Sequence, residues 1–359
     1  MKTTIQVGQW HNAVFASIRG ASHKGNNTCC QDAVSLKEGF FRGEPYLIGT
    51  TADGHGHSDY VYSERGSVLA TLAAEQTAIQ FMLAWDENIK NPATFFAHYF
   101  KAHLKREWIK NIAQSQSTYC VDPSLEKKHG TTLLCVLIFR GQIFVAQLGD
   151  GEICLINKEG EASFLVEPEM GPISSSTWSL CGDHLDKRWR FACGGVENIS
   201  SLMLSSDGLI NSLDNKDEYV KFALALQDYL QRFPPEKIKE ALPQWLDDYS
   251  ERGSADDISL VAINMKSDRN KTNTEKGKEY ENEHQDTGTQ NHQKIRRRRA
   301  GRSFSCPKGR KKLRPKTLQR TQCNFRPKSY YQAFGRVWCS KNRKHRSVRL
   351  AAVHSKPSE

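Results

Sequence analysis

The amino-acid sequence predicts an α+β fold in which two packed antiparallel β-sheets are flanked by helix pairs. Three observations carry this expectation. Short runs rich in β-branched and aromatic residues outnumber the helical stretches. The helical stretches come in pairs between runs of strand, unlike the strict alternation of a doubly wound sheet. The apolar pattern ends near Met265, so the sandwich is expected to occupy residues 1–265 of the 359.

The elements follow in order. Ala13–Arg19 and Tyr46–Ala52 read as strands, and Asp32 precedes a further apolar strand. Ser58 or Asp59 is placed to cap a helix reaching about Trp85, with Val68, Leu69, Leu72, Ile79 and Leu83 recurring at helical spacing. Pro92 suits the first turn of a second helix, to about Gln116, with Phe95, Tyr99, Leu104 and Trp108 on one side. Thr131–Phe139, Gln142–Leu148 and Glu152–Asn157 are strands. The breaks between them, Arg140-Gly141 and Gly149-Asp150-Gly151, read as hairpin turns. Trp189–Cys193 and Leu202–Ser205 are further strands. Asp217–Arg232 and Pro235–Tyr249 are helices divided by Pro234-Pro235, and Ile258–Met265 closes the domain.

Charge divides the chain. Residues 266–359 hold 27 Lys and Arg against 7 Asp and Glu, a balance of +20. The first 265 residues, with 24 against 33, carry −9. Residues 266–293 read as a polar linker and 294–359 as a basic, disordered tail, consistent with a mean hydropathy of −0.62. The tail contains Arg296-Arg297-Arg298-Arg299. Its charge suits a polyanion, either nucleic acid or an acidic membrane, and an extension with no binding role is the plain alternative. The most apolar run, Leu133–Phe139, is too short to span a bilayer. The ten cysteines form no Cys-x-x-Cys pair, which fits reduced thiols in a cytoplasmic protein better than disulfides or structural zinc.

Chemistry concentrates at strand ends. Asp53 opens Asp53-Gly54-His55-Gly56-His57 after an apolar strand. Asp150 lies in Gly149-Asp150-Gly151 and Asp207 in Ser206-Asp207-Gly208. Asp256 and Asp257 lie in Gly253-Ser254-Ala255-Asp256-Asp257, and Gln31-Asp32 precedes a strand. Asp-Gly pairs are also common turns. Carboxylates at several strand ends can instead converge on one edge of a sandwich, where hard divalent cations take oxygen ligands.

In this order, Gln31-Asp32, Asp53-Gly54-His55-Gly56, Gly130-Thr131-Thr132, Gly149-Asp150, Ser206-Asp207-Gly208-Leu209 and Gly253-Ser254-Ala255-Asp256 resemble the motifs of the metal-dependent type-2C protein Ser/Thr phosphatases. The likeness spans about Val14–Met265. Ser174–Leu180 loosely resembles a flap of the bacterial-type branch. The resemblance implies hydrolysis of phosphoserine and phosphothreonine in phosphoprotein substrates by water activated at two Mn²⁺ or Mg²⁺ ions. Asp53 would bridge them, Asp207 and Asp256 would hold the first, and the Gly54 carbonyl would hold the second with Gln31 and Asp32 nearby. Asp150 would serve a possible third ion, His55 would protonate the leaving oxygen, and His57 would stand outside.

Three positions depart from the family pattern. Gln31 stands where many members have Glu. Asn27 stands where an Arg often grips phosphate, leaving Arg19, His23 and Lys24 as substitutes. Asp257 replaces the usual Asn, which leaves the choice between Asp256 and Asp257 open, with the Gly-Ser-x-Asp register favouring Asp256. A phosphatase-like binding module with weak or no activity, or nucleic-acid binding through the tail, are the alternative functions.

Overall fold

The computed structural model describes residues 2–7, 11–118, 120–164, 177–183, 185–266 and 351–352. These fall in one of the chain's two compact units, residues 1–270 with 350–359. The second unit, 271–349, lies outside the described residues, and so do nearly all of the linker and the basic tail.

The strands are β1 (Lys2–Val7), β2 (His11–Ile18), β3 (Ala33–Phe41), β4 (Glu44–Ala52), β5 (Leu133–Phe139), β6 (Gln142–Leu148), β7 (Glu152–Asn157), β8 (Ala162–Phe164), β9 (Arg190–Gly195), β10 (Ile199–Ser205), β11 (Ile258–Met265) and β12 (Ala351–Ala352). They form two sheets, ordered β1-β2-β11-β10-β7-β8 and β12-β9-β6-β5-β4-β3. Their pairings are antiparallel. The helices are α1 (Ala21–Asn26), α2 (Ser63–Leu83), α3 (Pro92–Ser115), α4 (Pro123–Lys128), α5 (Asp207–Ile210), α6 (Lys216–Arg232) and α7 (Pro235–Arg252).

Three cores make four layers. α2 and α3 pack on the second sheet, α6 and α7 on the first, and the two sheets pack on each other. Strand alternation divides the side chains among these cores. In β5, Leu133, Cys135, Leu137 and Phe139 face the helices, while Leu134, Val136 and Ile138 face the opposite sheet. In β11, Leu260 and Ala262 face α6 and α7, while Val261 and Ile263 face the other sheet. A strand covered on both faces reads as a continuous apolar run, which is why β5 is buried along its whole length.

The expected sandwich is therefore the observed one, with four differences. First, α2 starts at Ser63 with Tyr62 as its cap residue, because residues 58–62 turn and Asp59 is engaged with Lys127 at 2.7 Å. Second, its inward face is Ala70, Ala73, Ala74, Ala78, Phe81 and Met82, whereas Val68, Leu72 and Leu83 are 54%, 41% and 56% exposed. Small residues let the helix lie close to the sheet, so the bulky stripe was the wrong guide. Third, Arg140-Gly141 is a hairpin turn with φ of 52° and 69°, but Gly149-Asp150-Gly151 is not. It carries the chain from β6 in one sheet to β7 in the other. Fourth, β1, α4, α5 and β8 are additional short elements, and Ala351–Ala352 pairs with Ala192 and Cys193 of β9. Cys29, Cys30, Cys120, Cys135, Cys154, Cys181 and Cys193 are free thiols. Among the described residues no helix is long and apolar enough to cross a membrane.

Candidate active site

Register brings the acidic motifs to one end of the sandwich. Ala33 pairs with Ala52, so Asp32 and Asp53 leave neighbouring strand ends. Leu133 pairs with Leu148 at the same edge. In the other sheet, Ser205 lies beside Glu152 and Leu260, and Ile258 beside Ile18. Asp150, on the crossover between the sheets, joins the two edges.

Asp53 is held through its backbone. Its N–H donates to Thr132 Oγ1 at 2.9 Å, and its carbonyl accepts from Thr132 N at 2.8 Å and Thr131 Oγ1 at 2.9 Å. The Gly-Thr-Thr motif is thus a clamp on Asp53. Ser179 Oγ accepts from Thr131 N at 3.0 Å, and Leu180 N donates to Thr131 O at 2.8 Å. The described end of the expected flap is therefore docked beside the clamp, while Ser174–Ser176 lie outside the described residues. Gly54 must lack a side chain, since a Cβ there would stand 2.6 Å from the Ser63 carbonyl oxygen and 2.7 Å from that of Gln31.

The carboxylates repel one another in a poorly solvated place. Burial first, then the charges of Asp32 and Asp207, hold Asp53 well above the usual carboxylate range. Burial raises Asp207 to about 6, with Asp150 and Asp256 adding to the rise. Asp256 is raised by burial and by Asp257 and Asp150. Asn211 Nδ2 donates to Asp207 Oδ2 at 2.9 Å, but Asp207 Oδ1 is buried without a donor.

This arrangement fits a divalent cation. An orphaned buried carboxylate oxygen beside like charges is what a hard cation relieves. Among the described residues, no three His, Cys, Asp or Glu side chains close a ligand set by themselves.

Asp256 and Asp257 have separate surroundings. Asp257 is buried, and its oxygens accept from Gly20 N and Gln31 N, each at 2.6 Å, with His23 Nδ1 at 2.9 Å. Asp256 is half-buried and exerts its charge on Asp53 and Asp207. Asp32 is buried, and its Oδ2 accepts from Ser206 Oγ and Ser259 Oγ, both at 2.7 Å. Those serines escaped the sequence reading, although Ser206 adjoins Asp207. Gln31 turns Nε2 to Ser63 Oγ at 2.7 Å and to the His55 carbonyl at 3.4 Å.

The His55 ring packs edge-on against Tyr60, with ring centroids 4.8 Å apart, and the His55 backbone N–H donates to Gly130 O at 3.2 Å. Burial lowers its pKa, and the Asp150 charge opposes that. Tyr60 was not foreseen. Gly130 makes room for it, since a Cβ there would meet the Tyr60 ring at 2.4 Å. His57 is 70% exposed and lies near Asp59.

The acidic cluster thus lies at one end of a four-layer sandwich of two sheets and two helix pairs. The sequence profile of the protein phosphatase 2C family matches residues 19–247, and the chain belongs to that family. Membership supports Ser/Thr phosphatase activity. No curated protein matches the chain in sequence. In structure it is similar to a point variant of a bacterial serine phosphatase, at 17% identity and TM-score 0.50, over 71% of this chain and 98% of the other. It is also similar to a C. elegans sex determining protein, at 15% identity and TM-score 0.51, over 72% and 66%. The catalytic domain of the serine/threonine protein phosphatase PstP, in complex with two manganese ions, aligns at 15% identity and TM-score 0.47, over 74% and 100%.

Proposed function

We propose that this protein hydrolyses phosphoserine and phosphothreonine in phosphoproteins with Mn²⁺ or Mg²⁺. The observation that carries the reading is the gathering of Asp53, Asp207, Asp256 and Asp150 around a buried carboxylate oxygen that lacks a donor. Asp53, Asp207, Asp256 and the Gly54 carbonyl would hold the ions. Asp32 adds its buried charge behind Asp53, and Gln31 stands beside Gly54. Asp150 is assigned to a third, weaker ion.

Bound ions would supply positive charge against the phosphoryl oxygens and make water a nucleophile at neutral pH. The chain's own residues do the rest. The Thr131-Thr132 clamp fixes Asp53, so its carboxylate needs little reorganisation. Asp150 offsets part of the burial that lowers His55, the residue assigned to deliver a proton to the departing serine or threonine oxygen. Tyr60 holds the His55 ring in place.

The test is hydrolysis of a phosphothreonine peptide by the purified full chain, first with Mn²⁺ and then with excess EDTA. Turnover that EDTA abolishes and Mn²⁺ restores is expected. Absence of turnover with either metal, in protein that binds Mn²⁺, would instead favour a phosphatase-like binding module.

A further inference from the structure

An acidic cluster repels a phosphate, so substrate recognition needs a donor or a cation close by. Between β2 and Asp32 the basic residues are Arg19, His23 and Lys24, and the structure separates them. Arg19 Nη2 donates to the His23 carbonyl at 2.6 Å and to Asn27 Oδ1 at 3.5 Å, while its Nε is buried. That side chain staples α1. Lys24 Nζ is paired with Asp247 of α7 at 2.9 Å. His23 differs. Its Nδ1 is buried 2.9 Å from Asp257 Oδ1, a charge contact without hydrogen-bond alignment, and Nε2 has no hydrogen-bond partner among the described residues and is not shut off from solvent.

The ring is fixed on the loop that carries Asp256. Ser22 N and Ser22 Oγ both donate to the Ala255 carbonyl, at 2.9 and 2.7 Å, and Ala21 N donates to Ser250 Oγ at 3.0 Å. Gly20 lies against the same loop, since a Cβ there would meet the Asp256 carbonyl carbon at 2.3 Å. Asp257 is itself immobilised by the Gly20 and Gln31 amides. A buried carboxylate that aims one imidazole nitrogen leaves the other nitrogen in a set direction.

We propose that His23, aimed by Asp257, binds the phosphoryl oxygens of the substrate on the Asp256 side of the site. The inference rests on the phosphatase reading above. Asp257 stands 2.9 Å from Nδ1 as a counter-charge, and Nε2 is the nitrogen left to meet a phosphoryl oxygen. His23 is then a phosphate-binding residue and Asp257 its positioning residue. Two departures from the family pattern, the absent Arg at Asn27 and the acid at Asp257, become one device.

The experiment uses the full chain with Mn²⁺ and inorganic phosphate as the probe. Calorimetry measures phosphate and Mn²⁺ affinity for wild type, His23→Gln, His23→Arg, Asp257→Asn and Lys24→Gln, with thermal unfolding of each as a check on folding. His23→Gln is expected to weaken phosphate binding about tenfold or more and to raise KM for a phosphothreonine peptide by a similar factor. Its kcat should change by less than about threefold, and its Mn²⁺ affinity should hold. His23→Arg should recover phosphate binding, Asp257→Asn should weaken it, and Lys24→Gln should leave it alone. Wild-type phosphate affinity in His23→Gln overturns the proposal, as does an equal loss of Mn²⁺ and phosphate affinity. Should His23→Gln fail to fold, a folded His23→Arg that binds no phosphate overturns it, and one that binds normally supports it. Wild type that binds phosphate without hydrolysing the peptide sinks the phosphatase reading and leaves the His23 titration decisive. Wild type that binds no phosphate overturns both.

Discussion

Asp207 shows at the scale of one residue how the site trades stability for chemistry. Its Oδ1 is buried without a donor, and the charges of Asp150 and Asp256 act on its carboxylate. Asp207→Asn is expected to lower turnover roughly a hundredfold or more, and to stabilise the metal-free protein by about 1–2 kcal/mol, because a like charge leaves the cluster. Peptide hydrolysis and thermal unfolding in EDTA measure the two effects. Retained turnover removes Asp207 from the metal assignment. His11 makes a separate prediction, far from this chemistry. It is buried, with Nε2 3.0 Å from Glu38, and burial followed by the Lys266 charge lowers it to about 4. The folded pKa is below the unfolded value of about 6.5, so the unfolded chain takes up the proton first. This contribution is whole above pH about 6.5 and falls away as pH drops towards 4, by about 3 kcal/mol in all. Thermal unfolding from pH 7.5 to 4.5 should show a shallower acid loss in His11→Gln than in wild type.

Among the elements, α2 gives the sharpest contrast between pattern and packing. Val68 and Leu72 are exposed, whereas its buried face is built from alanines together with Phe81 and Met82. Val68→Lys is therefore expected to change stability by no more than about 0.5 kcal/mol. Ala74→Leu should cost about 1–3 kcal/mol, because the helix already touches the sheet. Urea unfolding of both variants checks the face assignment, and the reverse ranking would refute it. The sequence could not reveal this face. Apolar periodicity reports which residues tolerate burial, and alanine is a weak hydrophobic signal even where close approach demands it. By contrast, α3, α6, α7 and β11 were legible nearly to the residue. In the three helices a proline or Asn cap marks the start, and in α3 Leu104 and Trp108 are buried as its spacing implied, while Phe96 and Phe100 are buried more fully than Phe95 and Tyr99.

For the whole molecule, the change of charge at Met265 coincides with the last strand of the sandwich. A chain ending at Met265 loses the two-residue β12 and no part of the three cores. It is expected to fold and to hydrolyse an aryl phosphate with Mn²⁺ at the rate of the full chain. Its binding to heparin or DNA should be much weaker, since the removed segment carries +20 and the remainder −9. The full chain's polyanion affinity should fall steeply across a salt series. Insoluble or inactive truncated protein would refute the boundary. Equal heparin affinity for both chains would leave the tail without a polyanion role.

The sequence by itself determined the sandwich and the order of its acidic motifs. Strand and helix signals are local, and an Asp-Gly at a strand end can be read without knowing its neighbours. It did not determine which of those residues meet. The crossover at Gly149–Gly151 looked like a hairpin because a turn between paired strands and a turn between sheets use the same residues. Only the paired registers of the two sheets brought Asp32, Asp53, Asp150, Asp207 and Asp256 to one end. Only the tertiary structure gave Asp257 to the Gly20 and Gln31 amides and to His23, and left Asp256 among the acids. The physical reason is distance along the chain. Gly20 and Asp257 are 237 residues apart, and a hydrogen bond across that separation leaves no periodic trace in the sequence.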